Sequence, residues 1–186
     1  MNKLLIGLII SLATLTPFKA NASPDVVYPI NDIRMNYSDL ESEIEIRTNL
    51  NVDLPEELRP SSDYPIYYVV NTASENEYSI NIEVAPNCKG AGACSIQSWS
   101  AKKGNHLPLK SDYSYKNPYY PDVNSYQYVK LNNGYQAVVV HGCGAYCTGG
   151  ISWLVNGTTY SIYGKTGVDS KKTADYFVEI ANSIYQ

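Results

Sequence analysis

The stretch Val129–Tyr163 reads VKLNNGYQAVVVHGCGAYCTGGISWLVNGTTYSIY. Val129-Lys-Leu131 and Tyr135–Val140 flank Asn132-Asn133-Gly134, while Ile151–Val155 and Thr158–Tyr163 flank Asn156-Gly157. β-Branched and aromatic runs favour extended chain. Asn-Gly between two such runs accepts the positive φ angles of a type I′ turn, the strongest short-range signal of a β-hairpin. Two hairpins in 35 residues predict an antiparallel sheet.

Upstream, Tyr78-Ser-Ile80-Asn-Ile82-Glu-Val84 alternates apolar and polar, which predicts a strand with one buried and one wet face. Ile66–Val70 predicts a strand before it, with a polar turn at Asn71–Glu77. Ser38-Asp39-Leu40-Glu41 matches a capping box, and Leu40 and Ile44 stack at i,i+4 with Glu43 able to meet Arg47. Ile44 and Ile46 alternate with Glu43 and Glu45 in a strand period, but the capping box favours a helix over 38–49. Residues 23–36, with Pro24 and Pro29, read as an irregular lead-in.

Downstream, the period changes. Ala174, Phe177, Val178, Ala181 and Ile184 form one stripe of a helix whose start Asp169 or Ser170 can cap. Residues 103–127 fit no period and predict a long loop, a common place for binding surfaces. The fold expected is α+β: a single antiparallel sheet of about six to seven strands, a C-terminal helix packed on it and a short N-terminal helix. The organisation expected is a leader at 1–22, an N-terminal segment at 23–60 and a disulfide-containing domain at 61–186.

Lys3 precedes a mostly apolar run from Leu4 to Phe18, and Ala20-Asn21-Ala22 sets small residues before Ser23. This is the order of a secretory signal peptide cleaved after Ala22, and the run is short of the ~20 residues that span a bilayer. The expectation is a periplasmic or secreted protein with no transmembrane anchor once the leader is removed. Loss of Lys3 and Lys19 deepens the net charge of −4 by two. So acidic a body repels a phosphate backbone, which excludes nucleic acid as a main partner. In an oxidising compartment Cys88, Cys94, Cys143 and Cys147 read as disulfides. Four cysteines allow three pairings, of which the close spacings favour Cys88–Cys94 and Cys143–Cys147. Each short loop contributes only about 2 kcal/mol.

Little in the chain points to chemistry. His141-Gly142-Cys143 places an imidazole beside a thiol, the makings of a Cys/His hydrolase or a thiol-redox centre, but an oxidised Cys143 cannot act as the nucleophile. His141, Cys143 and Cys147 have the residue types of a zinc site but lack a second close ligand pair, so no metal or cofactor is expected. Cys143-x3-Cys147 is not the Cys-x-x-Cys of thiol oxidoreductases, and Gly150-Ile-Ser152-Trp-Leu154 lacks the final glycine of a nucleophile elbow. Catalysis is not expected. The compositional oddity is tyrosine: eighteen in the chain, with Tyr113, Tyr115, Tyr119, Tyr120, Tyr126 and Tyr128 inside sixteen residues. A ring with a polar tip suits a wet binding surface for a protein or glycan partner, and equally suits covering a core edge.

Cys88–Trp99 and Cys143–Trp153 rhyme: each sets Gly-Ala between two cysteines, then isoleucine and Ser-Trp. The isoleucine-to-tryptophan spacing is three residues in one and two in the other, which predicts a bulge. Together with Leu54-Pro55, Asn87-Cys88, Val129-Lys-Leu131-Asn-Asn-Gly134, Asn156-Gly157, Tyr160-Ser-Ile162 and Ala181-Asn182-Ser183, these pieces resemble a group of small secreted bacterial proteins of unknown function, best represented in cyanobacteria. The similarity runs from Val52 to the end, with a longer and more aromatic loop at 113–128. It implies an exported, cysteine-paired domain and carries no activity. The functional expectation is a non-catalytic binding or envelope-accessory domain.

Overall fold

The computed structural model describes residues 26–30, 38–54, 66–85, 93–113 and 123–185. Eight strands make one antiparallel sheet: β1 (Val26–Ile30), β2 (Ile66–Ser74), β3 (Glu77–Glu83), β4 (Ser95–Lys103), β5 (Val123–Lys130), β6 (Gln136–Cys143), β7 (Cys147–Val155) and β8 (Thr158–Thr166). The spatial order is β1-β2-β3-β4-β8-β7-β6-β5. Among the described residues the α-helices are α1 (Ser38–Glu45) and α2 (Ser170–Ser183), so the fold is mostly β.

The hairpins form, by two different turns. Asn156 (φ 49°) and Gly157 (φ 77°) both take positive φ, as a two-residue type I′ turn requires. At the other, only Gly134 (φ 90°) does, and Leu131 exchanges backbone hydrogen bonds with Gly134 and Tyr135 around a three-residue loop. A bulge between Ile82 and Glu83 in the β3–β4 ladder sets Ser95 and Gln97 opposite consecutive residues, so Ile96 is the extra one and absorbs the longer spacing to Trp99.

Several expectations need correction. The single antiparallel sheet is as expected, and among the described residues it has one strand more than the upper figure, because residues read as an irregular lead-in include β1, which pairs with β2 from Val26–Val70 to Ile30–Ile66. Pro29 masked this strand, yet proline is tolerated on an edge. β2 runs through the expected turn to Ser74 by a register shift between Val70 and Thr72, leaving Glu75-Asn76 as the turn. The loop expected at 103–127 is shorter, since β5 starts at Val123. α1 stops at Glu45 rather than 49: Arg47 bonds back to Ile44 and the Asn49 amide turns to the Glu75 carbonyl. Glu43 and Arg47 do pair.

One face of the sheet carries the apolar core. Val70, Ile80, Trp99, Ile162, Ile151 and Val139 lie in register across it, joined by Leu40 and Ile44 of α1 and by Ala174, Phe177 and Ala181 of α2. The Asp169 carboxylate caps α2 by accepting from the amides of Lys171 and Lys172, which hold it below the ordinary carboxylate range. Trp153 stacks on Tyr160 and donates from Nε1 to the Tyr185 hydroxyl at 2.8 Å.

The other face is not wet. Val69, Glu83, Val138, Val140 and Ser152 alternate with core residues and are buried too. The chain leaving β4 must reach β5 past β8, β7 and β6, four strand spacings or about 19 Å. Its described part, 104–113, lies over this face: Tyr113 meets Tyr163, and Tyr126 donates to the Pro108 carbonyl.

Gly149-Gly150 in β7 permits close approach on both sides. A Cβ on Gly149 would stand 2.6 Å from Thr173 Cγ2 of α2, and one on Gly150 would stand 2.2 Å from Tyr163 Cδ1 and 2.4 Å from the Ile162 carbonyl. Gly150→Ala is expected to cost about 2 kcal/mol or more, because a backbone atom cannot move aside as a side-chain tip can; the urea midpoint measures it.

Burial raises the phenols of Tyr78 and Tyr160 well above their ordinary value. Tyr185 is pushed up to about 12, burial leading, with Asp53 and Tyr135 adding and the Trp153 hydrogen bond opposing. The folded state therefore keeps protons that the unfolded chain releases near pH 10. Their contribution to stability is complete below pH ~10 and lost as pH rises toward the folded values. Denaturation midpoints are expected to hold steady between pH 8 and 9 and to fall by pH 11.

Candidate functional site

Two places gather side chains with chemical potential, on opposite faces of the sheet. The first is a tyrosine cluster on the face that the crossing chain covers. Tyr126 and Tyr128 are two apart on β5 and so share a side, opposite Val140 and Val138. Tyr126 is a strand residue rather than a loop residue, which corrects the expected 103–127 loop, and Tyr128 lies just past that range on the same strand. Their rings meet edge to face at 5.6 Å, with hydroxyls 3.3 Å apart. Tyr113 closes a short 3-10 turn at Lys110–Tyr113 and sets its ring 6.2 Å from those of Tyr126 and Tyr163. Tyr115, Tyr119 and Tyr120 lie outside the described residues.

Hydrogen bonds extend the cluster inward. The Tyr113 and Tyr163 hydroxyls bond to each other. Tyr163 lies 3.0 Å from Ser152 Oγ, and Ser152 lies 2.8 Å from Ser161 Oγ, its partner across the β7–β8 ladder. Ser152 is fully buried, so these bonds meet a polar demand that water cannot. Tyr128, by contrast, is 64% exposed. Burial, followed by the hydrogen bond and charge of Tyr128, pushes the Tyr126 phenol up to about 12. Tyr126 therefore stays a neutral hydrogen-bonding group at ordinary pH.

Tyr163, Ser152 and Ser161 belong to this cluster and were not legible as site residues. The usable signal was Gly150 opposite Tyr163, a glycine inside a strand that marks a close approach.

The second place is the end of the β6–β7 hairpin. Cys143 and Cys147 are paired in the ladder and joined by a disulfide. Gly144, Ala145 and Tyr146 form its exposed tip. Cys94 is disulfide-bonded too, and Cys88, which the spacing assigns to it, lies outside the described residues. His141 is buried, with Nε2 3.0 Å from the Gly167 carbonyl and 3.7 Å from Cys143 Sγ. A carbonyl only accepts, so Nε2 carries the proton. His106 is exposed, with Nδ1 3.2 Å from the adjacent Leu107 carbonyl and its own carbonyl accepting from the Thr159 hydroxyl.

Among the described residues no helix is long and apolar enough to cross a membrane. Comparison with protein-family models, curated proteins and solved structures finds no match to this chain.

Because its sulfurs are bonded to each other across a single strand pair, the hairpin disulfide closes only a five-residue loop. Replacing both Cys143 and Cys147 by serine is expected to lower stability by about 2 kcal/mol with the sheet retained, measured by urea unfolding with far-UV circular dichroism. Unreduced, denatured natural protein is expected to release no thiol to a thiol reagent.

Proposed function

We propose that this protein is an exported, non-catalytic domain of the periplasm or cell exterior that binds a glycan or protein partner through its tyrosine cluster. The observation that carries the reading is the pair Tyr126–Tyr128. Two edge-to-face rings stand on the sheet's outermost strand, one packed against the crossing chain and the other largely exposed. A ring supported on one side and open on the other offers a flat apolar surface with a hydroxyl at its rim, at little cost in conformational freedom. Stacking and neutral hydrogen bonds of this kind suit uncharged partners such as sugar polymers. The acidic body disfavours polyanions.

Export rests on the leader-like start and on cysteines paired as an oxidising compartment would leave them. The alternative, a Cys/His hydrolase or thiol-redox centre, draws on the 3.7 Å approach of His141 to Cys143. The sulfur that it needs as a nucleophile is already bonded to Cys147.

The test is binding of the natural chain to a panel of cell-envelope polysaccharides and envelope proteins, repeated with Tyr128→Ser. Tyr128 is exposed, so this change spares the fold. A loss of roughly tenfold in affinity is expected for a hot-spot aromatic. Unchanged affinity for a verified ligand, in a variant with native circular dichroism, rejects this surface.

A further inference from the structure

The hairpin end carries a feature that the tyrosine reading does not use. His141 and Cys143 are two apart on β6 and share a face, and Cys147 faces the same way as the ladder partner of Cys143. One ligand atom from each, the His141 nitrogen and the two sulfurs, lies within 4.8 Å of the others. In a tetrahedral zinc site, bonds of about 2.3 Å to sulfur and 2.1 Å to nitrogen hold N and S roughly 3.6 Å apart. His141 Nε2 and Cys143 Sγ already stand 3.7 Å apart. The separation of imidazole nitrogen and first sulfur already fits one shared ion, and the ring has to turn Nε2 from the Gly167 carbonyl toward it.

A second observation points the same way. Thr166 is the ladder partner of Cys147 on its other side, and its hydroxyl oxygen is buried with no hydrogen-bond partner among the described residues. A buried polar atom without a partner costs free energy unless something else satisfies it. Beside two sulfurs and an imidazole, that something can be a metal-bound water. The Gly144-Ala145-Tyr146 tip is exposed and gives an ion a way in.

We propose that reduction of the Cys143–Cys147 disulfide turns this corner into a binding site for a borderline-soft cation, Zn2+ above all. Two thiolates and the His141 imidazole hold the ion, and water fills the fourth position near Thr166. Two thiolates and one imidazole are the donors such an ion prefers. An external dithiol gives two electrons and two protons to the S–S bond and leaves as its own disulfide. Metal binding then displaces both thiol protons, and the imidazole proton moves from Nε2 to Nδ1, freeing Nε2 as the ligand. Disulfide and metal exclude each other, so the site is a thiol switch. It lies on the face that packs α2, opposite the tyrosine cluster, and stands or falls independently of the binding function.

The test uses the full chain carrying Cys88→Ser and Cys94→Ser, so that one cysteine pair alone responds. The protein is reduced anaerobically with a phosphine and titrated with Co2+. One equivalent is expected, with a thiolate-to-cobalt charge-transfer band and tetrahedral d–d bands that Zn2+ abolishes; the oxidised protein shows neither. His141→Ala is expected to weaken binding by roughly tenfold or more, since even second-layer partners matter that much. A reduced protein with native circular dichroism and no charge-transfer band overturns the proposal, as does equal affinity in His141→Ala. Should the double serine background fail to fold, the reduced natural chain is compared with Cys143→Ser/Cys147→Ser. Loss of one cobalt equivalent supports the site, and identical spectra overturn it.

Discussion

The strand order β4-β8-β7-β6-β5 imposes the constraint from which the rest of the structure follows. Strands β4 and β5 are consecutive in the chain but separated by three others in the sheet. The connection from Lys103 toward Val123 has to pass these strands, and its described part, 104–113, lies over one face. With both helices on the other, neither side of the sheet is left open as in a two-layer α+β domain. This accounts for the burial of Val138, Val140 and Ser152, which by alternation alone belong to solvent.

Covering a sheet twice demands close approach from both sides at its centre. β7 meets the demand with adjacent glycines: the missing Cβ of Gly149 admits Thr173 and Phe177, and that of Gly150 admits the Tyr163 ring. The two coverings differ in chemistry. On the helix side, aliphatic side chains, Trp99, Trp153 and Phe177 bury apolar area. Over β7 and β8, on the other side, serine and tyrosine hydroxyls satisfy one another under the crossing chain, which explains why position 163 holds tyrosine rather than phenylalanine. Phenylalanine there would leave Ser152 short of one of its two hydrogen bonds.

The two sites divide along the same line. The tyrosine cluster lies where the crossing chain meets the edge strand β5, so burial of some rings and exposure of Tyr128 have one cause. His141 and the hairpin disulfide lie on the helix side, where the turn into α2 brings the Gly167 carbonyl onto the imidazole. The disulfide holds together two strands that the ladder already pairs, which is why the loop it closes is so short. Its place beside His141 and Thr166 gives it a chemical context beyond stapling.

Much of the fold was legible because it depends on neighbours in the chain. Asn156-Gly157 dictates its turn through positive φ, the alternation around Ile80 dictates a strand, and the Ala174–Ala181 stripe with Asp169 dictates α2. The pairing of Cys143 with Cys147 follows from a short loop with few geometries. β1 was lost because Pro29 is judged against interior strands, and only the sheet's extent reveals that Val26–Ile30 is an edge. The burial of Glu83, the membership of Tyr163, Ser152 and Ser161 in the cluster, and the side on which Tyr126 and Tyr128 stand were decided by tertiary structure. Each is a matter of long-range pairing and packing that no local period encodes.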